Sequence, residues 1–176
     1  MKKYIVIGLI SVLFFQAFCT QSTNVLIPEE AIRLRVLANS NSTEDQQLKM
    51  KVSEVLQSEL YTLLKDTKGI YRAREEINAS LPDLRTKVAN TLKQQNSPLS
   101  FQVDYGAHYF PEKTYKGVTY PEGNYESLLV TLGKGEGNNW WCVLFPPLCI
   151  MEAEEKEEAE DTEYKFFIQE LIEKYL

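Results

Sequence analysis

Ten consecutive residues, Trp140-Trp141-Cys142-Val143-Leu144-Phe145-Pro146-Pro147-Leu148-Cys149, limit what this chain can fold into more than any other stretch. They hold both tryptophans and two of the three cysteines of a 176-residue chain, directly after a glycine-rich loop. Read as a strand, the segment places Trp141, Val143 and Phe145 on one face and Trp140, Cys142 and Leu144 on the other, so both faces need cover. Pro146-Pro147 must end that strand, because proline donates no ladder hydrogen bond. The segment is therefore a core strand leaving its sheet through a rigid turn, or an apolar surface shown to a partner. Aromatic side chains suit both roles.

The stretches before it supply a sheet and helices to pack on. Ile32, Leu34, Val36 and Ala38 alternate with Arg33, Arg35 and Leu37, the pattern of a half-buried strand. Asn39-Ser40-Asn41-Ser42 stops it, and Ser42 with Asp45 resembles a capping box opening a helix whose apolar face runs from Leu48 to Leu64. Gly69 reads as its C-cap. A second helix is expected over Tyr71 to Ala79, and Ser80-Leu81-Pro82-Asp83 restarts a third, with Leu84, Val88 and Leu92 inward. From Asn96 the chain turns to strands: Phe101 to Tyr105, His108 to Phe110, a pair around a Lys116-Gly117 turn, and Leu128 to Leu132. The loop from Gly133 to Asn139 reads as a hairpin connection to Trp140. The fold class is α+β, with a small, mostly antiparallel sheet of four or five strands against about three helices.

Charge and the two ends set the compartment. Eight acids and one lysine lie between Glu152 and Glu163, a local charge of -7 against a formal total of -6, so the rest of the chain sums to +1 and is nearly neutral. With no basic stripe, nucleic acid is set aside as a partner. Lys2 and Lys3 precede an apolar run from Tyr4 to about Phe15, the form of a secretory signal spanning 1–19. An uncleaved anchor is the alternative, in which membrane contact runs through this segment. The single domain covers 28–150, the acidic linker 151–163, and an amphipathic helix 164–176, its face formed by Tyr164, Phe167, Ile168, Leu171, Ile172 and Tyr175. In an exported protein, Cys142 and Cys149 are expected to form a disulfide; two buried free thiols are the alternative.

Catalytic readings are poorly supported. The Gly133 to Gly137 loop lacks the Lys-Ser or Lys-Thr and the helix start that a phosphate loop requires. His108 is the only histidine. No metal set, cofactor motif or catalytic set is found, which favours a binding protein over an enzyme. A secreted cell-wall hydrolase using Asp104, Glu126 or His108 is the competing reading, and two convergent carboxylates in a pocket would favour it.

Ile32 to Ser40, Phe110-Pro111, Pro121-Glu122-Gly123-Asn124-Tyr125-Glu126, and the whole of Gly133 to Cys149 resemble the stage II sporulation protein R family. The resemblance runs from about Pro28 to Cys149, and its last stretch is the most specific. It implies a signalling protein of endospore formation, exported from the forespore into the space between forespore and mother cell. There it would activate a membrane-embedded aspartic protease that cleaves the sigma-E precursor. Trp140, Trp141, Leu144, Phe145, Pro146 and Pro147 are the expected partner-binding residues, because their segment has two apolar faces.

Overall fold

In the computed structural model, which describes residues 30–115 and 118–147, the chain order is β1 (Ile32–Leu37), α1 (Thr43–Leu64), α2 (Ile70–Gln94), β2 (Phe101–Phe110), β3 (Lys113–Tyr115), β4 (Val118–Tyr120), β5 (Gly123–Leu132) and β6 (Asn139–Phe145). The expected signal segment, Cys149, the acidic linker and the terminal helix lie outside these residues. The class is α+β, with two helices on one face of a four-stranded sheet in the order β2-β5-β1-β6, and β3-β4 as a separate hairpin.

The sheet is mixed, which corrects the antiparallel expectation. Strand β1 pairs parallel to β5 and antiparallel to β6, while β2 pairs antiparallel to β5. Short connections favour antiparallel neighbours only between strands close in sequence. Here β1 lies in the middle of the sheet, and β5 reaches it after the chain has passed through both helices and β2. That path is a crossover. It also means that β5 and β6 are not neighbours, so the loop from Gly133 to Asn138 is not a hairpin connection. It crosses the C-terminal end of β1.

The crossing explains the turn-forming residues on both sides of it. The Asn39 side-chain oxygen accepts from the Lys134 amide at 3.0 Å, and that of Asn41 from the Asn138 amide at 2.7 Å. The Gly137 amide donates to the Ala38 carbonyl at 2.9 Å. Lys49, buried on α1, donates to the Asn138 carbonyl at 3.2 Å, and burial followed by the Lys113 charge pushes its ammonium pKa down. Two polar loops thus satisfy each other's backbone where the sheet and α1 meet.

Ser42 caps α1 as expected, its oxygen accepting from the Asp45 amide at 3.1 Å. The reciprocal half of the box is absent: the Asp45 carboxylate accepts instead from the Asn39 amide at 2.8 Å and the Ser40 hydroxyl at 2.6 Å. Those bonds, with that from Ser40 foremost, hold its carboxyl below the usual range. Helix α1 ends at Leu64 with Lys65 as C-cap, and Gly69, at φ +82, is the N-cap of α2, not the C-cap of α1. That conformation is one that glycine adopts without steric cost.

The largest local correction is at Pro82. The second and third expected helices are one 25-residue helix with Pro82 inside it. Ala73, Ile77, Leu84, Val88 and Leu92 form one buried face along the whole length. Continuous burial outweighs the ~3 kcal/mol that an interior proline costs relative to alanine. Pro82 is itself exposed, so nothing is lost from the core when it is replaced. Pro82→Ala is expected to raise stability by about 1–3 kcal/mol, read as a higher urea midpoint with an unchanged slope.

The two expected runs from Phe101 to Tyr105 and His108 to Phe110 are likewise a single ten-residue strand that continues through Gly106. The core lies between the sheet and the helices. It joins Ile32, Leu34 and Val36, Leu128, Val130 and Leu132, and Leu48 to Leu64 with Ile77 to Leu92 from the helices.

Candidate functional site

Strand β6 carries most of the expected partner-binding residues, and its register decides where they point. Val36 faces Trp140, Arg35 faces Trp141, Leu34 faces Cys142, Arg33 faces Val143, and Ile32 faces Phe145. The register shifts by one between Ile32 and Arg33, so β6 is bulged near Leu144. The extra residue puts Leu144 and Phe145 both into the core, at 1% and 0% exposure. This corrects the expected grouping of Phe145 with Trp141 and Val143, because strict alternation cannot foresee a bulge. Pro146 and Pro147 are buried as well. Trp140 and Cys142 pack, half-buried, against the helix-side core.

Of the expected partner-binding residues, Trp141 builds the opposite face, where Val143 also lies across from Arg33. Its ring meets Phe110 edge-on at 5.7 Å and Tyr120 at 4.9 Å. Lys113, which pairs with Tyr120 at the open end of the β3-β4 hairpin, holds its ammonium 5.5 Å from the same ring. Phe110 meets Tyr125 edge-on at 6.1 Å. At the centre of these rings is Arg33, 1% exposed, its guanidinium carbon 3.3 Å from the Tyr125 centroid, 5.3 Å from Phe110 and 5.4 Å from Trp141. Burial pulls its pKa down, although an arginine stays charged at any ordinary pH.

Arg35 sits beside this cage and is well satisfied. It donates to the Tyr109 carbonyl at 2.6 Å, lies 5.2 Å from the Phe110 centroid, and reaches the Asn139 side-chain oxygen at 2.9 and 3.0 Å with the amide turned to accept. Nothing in the local pattern singles out Arg33 or Arg35. Both sit at outward positions of an alternating strand, where cations are ordinarily solvated; the available signal was their pairing with an aromatic-rich β6.

The three residues of the hydrolase reading are divided by the sheet. His108 does meet Asp104, at 2.9 Å, and Ser127, at 2.7 Å. The order is the reverse of what hydrolysis by such a group needs, since a nucleophilic serine opens to substrate and its acid is buried. Ser127 is 0% exposed in mid-sheet, whereas the Asp104 side chain is 73% exposed. Glu126 lies on the other face, where Arg74 of α2 grips it at 2.8–3.0 Å and the Tyr105 hydroxyl donates at 2.6 Å. The two carboxylates therefore do not converge. Among the described residues no group of three or more His, Cys, Asp or Glu is placed to hold a metal, and no helix is long and apolar enough to cross a membrane.

The Glu126 cluster joins α2 to β5 and makes stability depend on pH. Burial pushes the Glu126 carboxyl up, but hydrogen bonds from Arg74 and Tyr105 and the Arg74 charge outweigh it and hold the group below its usual range. A depressed folded pKa means that its contribution is complete above the unfolded value of about 4.3 and is lost as pH falls through the folded value. The stability difference between wild type and Glu126→Gln is expected to be largest near neutral pH and to shrink toward pH 3, as urea titrations across that range would read. A constant difference would show that the charge of Glu126 does not matter.

The comparisons with known proteins cover this whole assembly. A family model described as stage II sporulation protein R matches residues 28–155. Over 146 residues the chain is 42% identical to Stage II sporulation protein R of Bacillus subtilis (strain 168), a match spanning 83% of this chain and 65% of that protein, just under two thirds of its length. No solved structure matches. The family match contains every described strand and helix, from β1 to the cage-forming β6, and on that extent the chain belongs to the stage II sporulation protein R family.

Proposed function

We propose that this protein is an exported signal of endospore formation that activates a membrane-embedded aspartic protease, which then processes the sigma-E precursor. The observation that carries the sporulation role is family membership across the whole described fold. Export rests on the basic and apolar pattern of the first residues, and the protease on what the family resemblance implies. The protein acts by binding and without catalysis of its own; the separation of Asp104 from Glu126 by the sheet supports this over the cell-wall hydrolase.

Within that role, the segment from Trp140 to Pro147 forms or supports the receptor-facing surface. Half-buried Trp140 and Trp141 retain surface for direct contact, while Leu144, Phe145, Pro146 and Pro147 act from beneath by fixing the end of β6. Cys142 is bonded to Cys149 in the exported protein. The disulfide-bonded state of Cys142 supports this, and Cys149 lies outside the described residues. Thiol titration of the denatured, unreduced mature protein is expected to find neither cysteine free; two free thiols would exclude the bond.

The deciding experiment is co-expression of the full chain, with and without its first 19 residues, together with the protease and the sigma-E precursor. Precursor cleavage is expected only with the exported form. Cleavage that is indifferent to this protein would refute the role. A Trp140→Ala, Trp141→Ala double variant that folds normally and still activates would remove the segment from the receptor surface.

A further inference from the structure

Among the described residues the caged Arg33 has no counter-ion. Its Nε and Nη1 are buried and have no hydrogen-bond partner among the described residues, and it makes no ion pair there. Ring faces attract its charge but accept its N–H groups poorly, so the cage compensates the guanidinium only in part. A buried donor left unmade costs about 1–3 kcal/mol, and more on a charged group. Tyr125 eases the buried charge through its side-chain hydrogen bond, but Nε and Nη1 stay without a partner, and the other polar groups nearby are turned elsewhere. Arg35 is turned to Tyr109 and Asn139, the nearby Lys113 adds positive charge, and Asp104 is engaged by His108. The cage therefore has positive charge, vacant donors and apolar walls, the combination that takes a planar anion edge-on.

We propose that the cage formed by Phe110, Tyr120, Tyr125 and Trp141 around Arg33 is a binding site for a carboxylate. Carboxylate is the fitting chemistry because its plane can lie between aromatic walls while its oxygens accept from guanidinium N–H groups. Entry needs local opening of the cage wall, where Tyr120 at the end of a short hairpin meets Trp141 edge-on, and not unfolding. Two sources carry this chemistry: the acidic run from Glu152 to Glu163 of this chain, which begins five residues beyond Pro147, and an acidic side chain of a binding partner. This inference stands apart from the identity of the receptor.

The test is the Arg33 Nε–H resonance in 15N-labelled full-length mature protein, titrated with sodium acetate against sodium chloride at equal ionic strength. The resonance is assigned by its loss in Arg33→Lys, or by through-bond correlation in the unaltered protein should that variant not fold. A saturable downfield shift with acetate and not with chloride is expected if the carboxylate comes from outside. If the run within this chain occupies the cage, the resonance starts downfield, and replacing the eight acids of Glu152 to Glu163 by their amides moves it upfield and restores the acetate response. Either result supports the site and identifies the source. A resonance that responds equally to both salts, or to neither salt and not to the amide variant, overturns it.

Discussion

Phe145→Ala is expected to destabilise the protein by about 3–5 kcal/mol, the usual loss for a buried phenylalanine. The reason lies in the bulge of β6. Phe145 is paired with Ile32, is 0% exposed, and belongs to the same core cluster as Leu144 beside it. Truncation leaves a cavity at the point where β6 leaves the sheet, and the buried prolines that follow restrict how far the chain can collapse into it. The change is read as a fall in urea midpoint with little change in slope. A loss below about 1 kcal/mol, the size typical of partly exposed sites, would mean that the end of β6 is not core. Trp141→Ala should be compared with it, since Trp141 is half-buried and lies on the opposite face.

Gly137→Ala is expected to cost roughly 2–4 kcal/mol, from overpacking together with the loss of loop hydrogen bonds. A β-carbon there would stand 2.2 Å from the Ser40 carbonyl oxygen and 2.9 Å from the Ala38 side chain, so backbone must separate. Separation would break the bond from the Gly137 amide to Ala38 and disturb the neighbouring bond from Asn138 to Asn41. Gly106→Ala is the control. Nothing lies within 4 Å of its added β-carbon, and its effect should stay within about 0.5 kcal/mol. Similar losses at both glycines would show that the cost is not specific to the crossing of two loops.

The Gly137 contact also shows why a recognisable stretch of sequence is a poor guide to binding. Asn39 to Ser42 and Gly133 to Asn138 lie nearly a hundred residues apart, and each by itself reads as an ordinary polar turn. They meet because β6 sits across β1 from β5, so a chain leaving β5 must pass over the end of β1. Their polar side chains therefore serve backbone groups of the opposing loop. Similar reasoning applies to Phe145, which a bulge turns into the core beside Leu144.

By itself the sequence determined local periodicity and local chemistry: the apolar face of α1, the Ser42 cap, the alternation in β1, the hairpin ending at Tyr120, and the family signature from Gly133 to Cys149. These depend on neighbours within a few residues, where propensity and spacing act. Tertiary structure alone decided the rest. It made α2 continuous through Pro82 because one buried face outweighed one missing hydrogen bond, and it made the sheet mixed because β1 was inserted between strands far from it in the chain. It placed Asp104 and Glu126 on opposite faces. It also gathered Arg33, Phe110, Tyr120, Tyr125 and Trp141 into a single cage from five strands, a juxtaposition without local signature because each residue comes from a different strand.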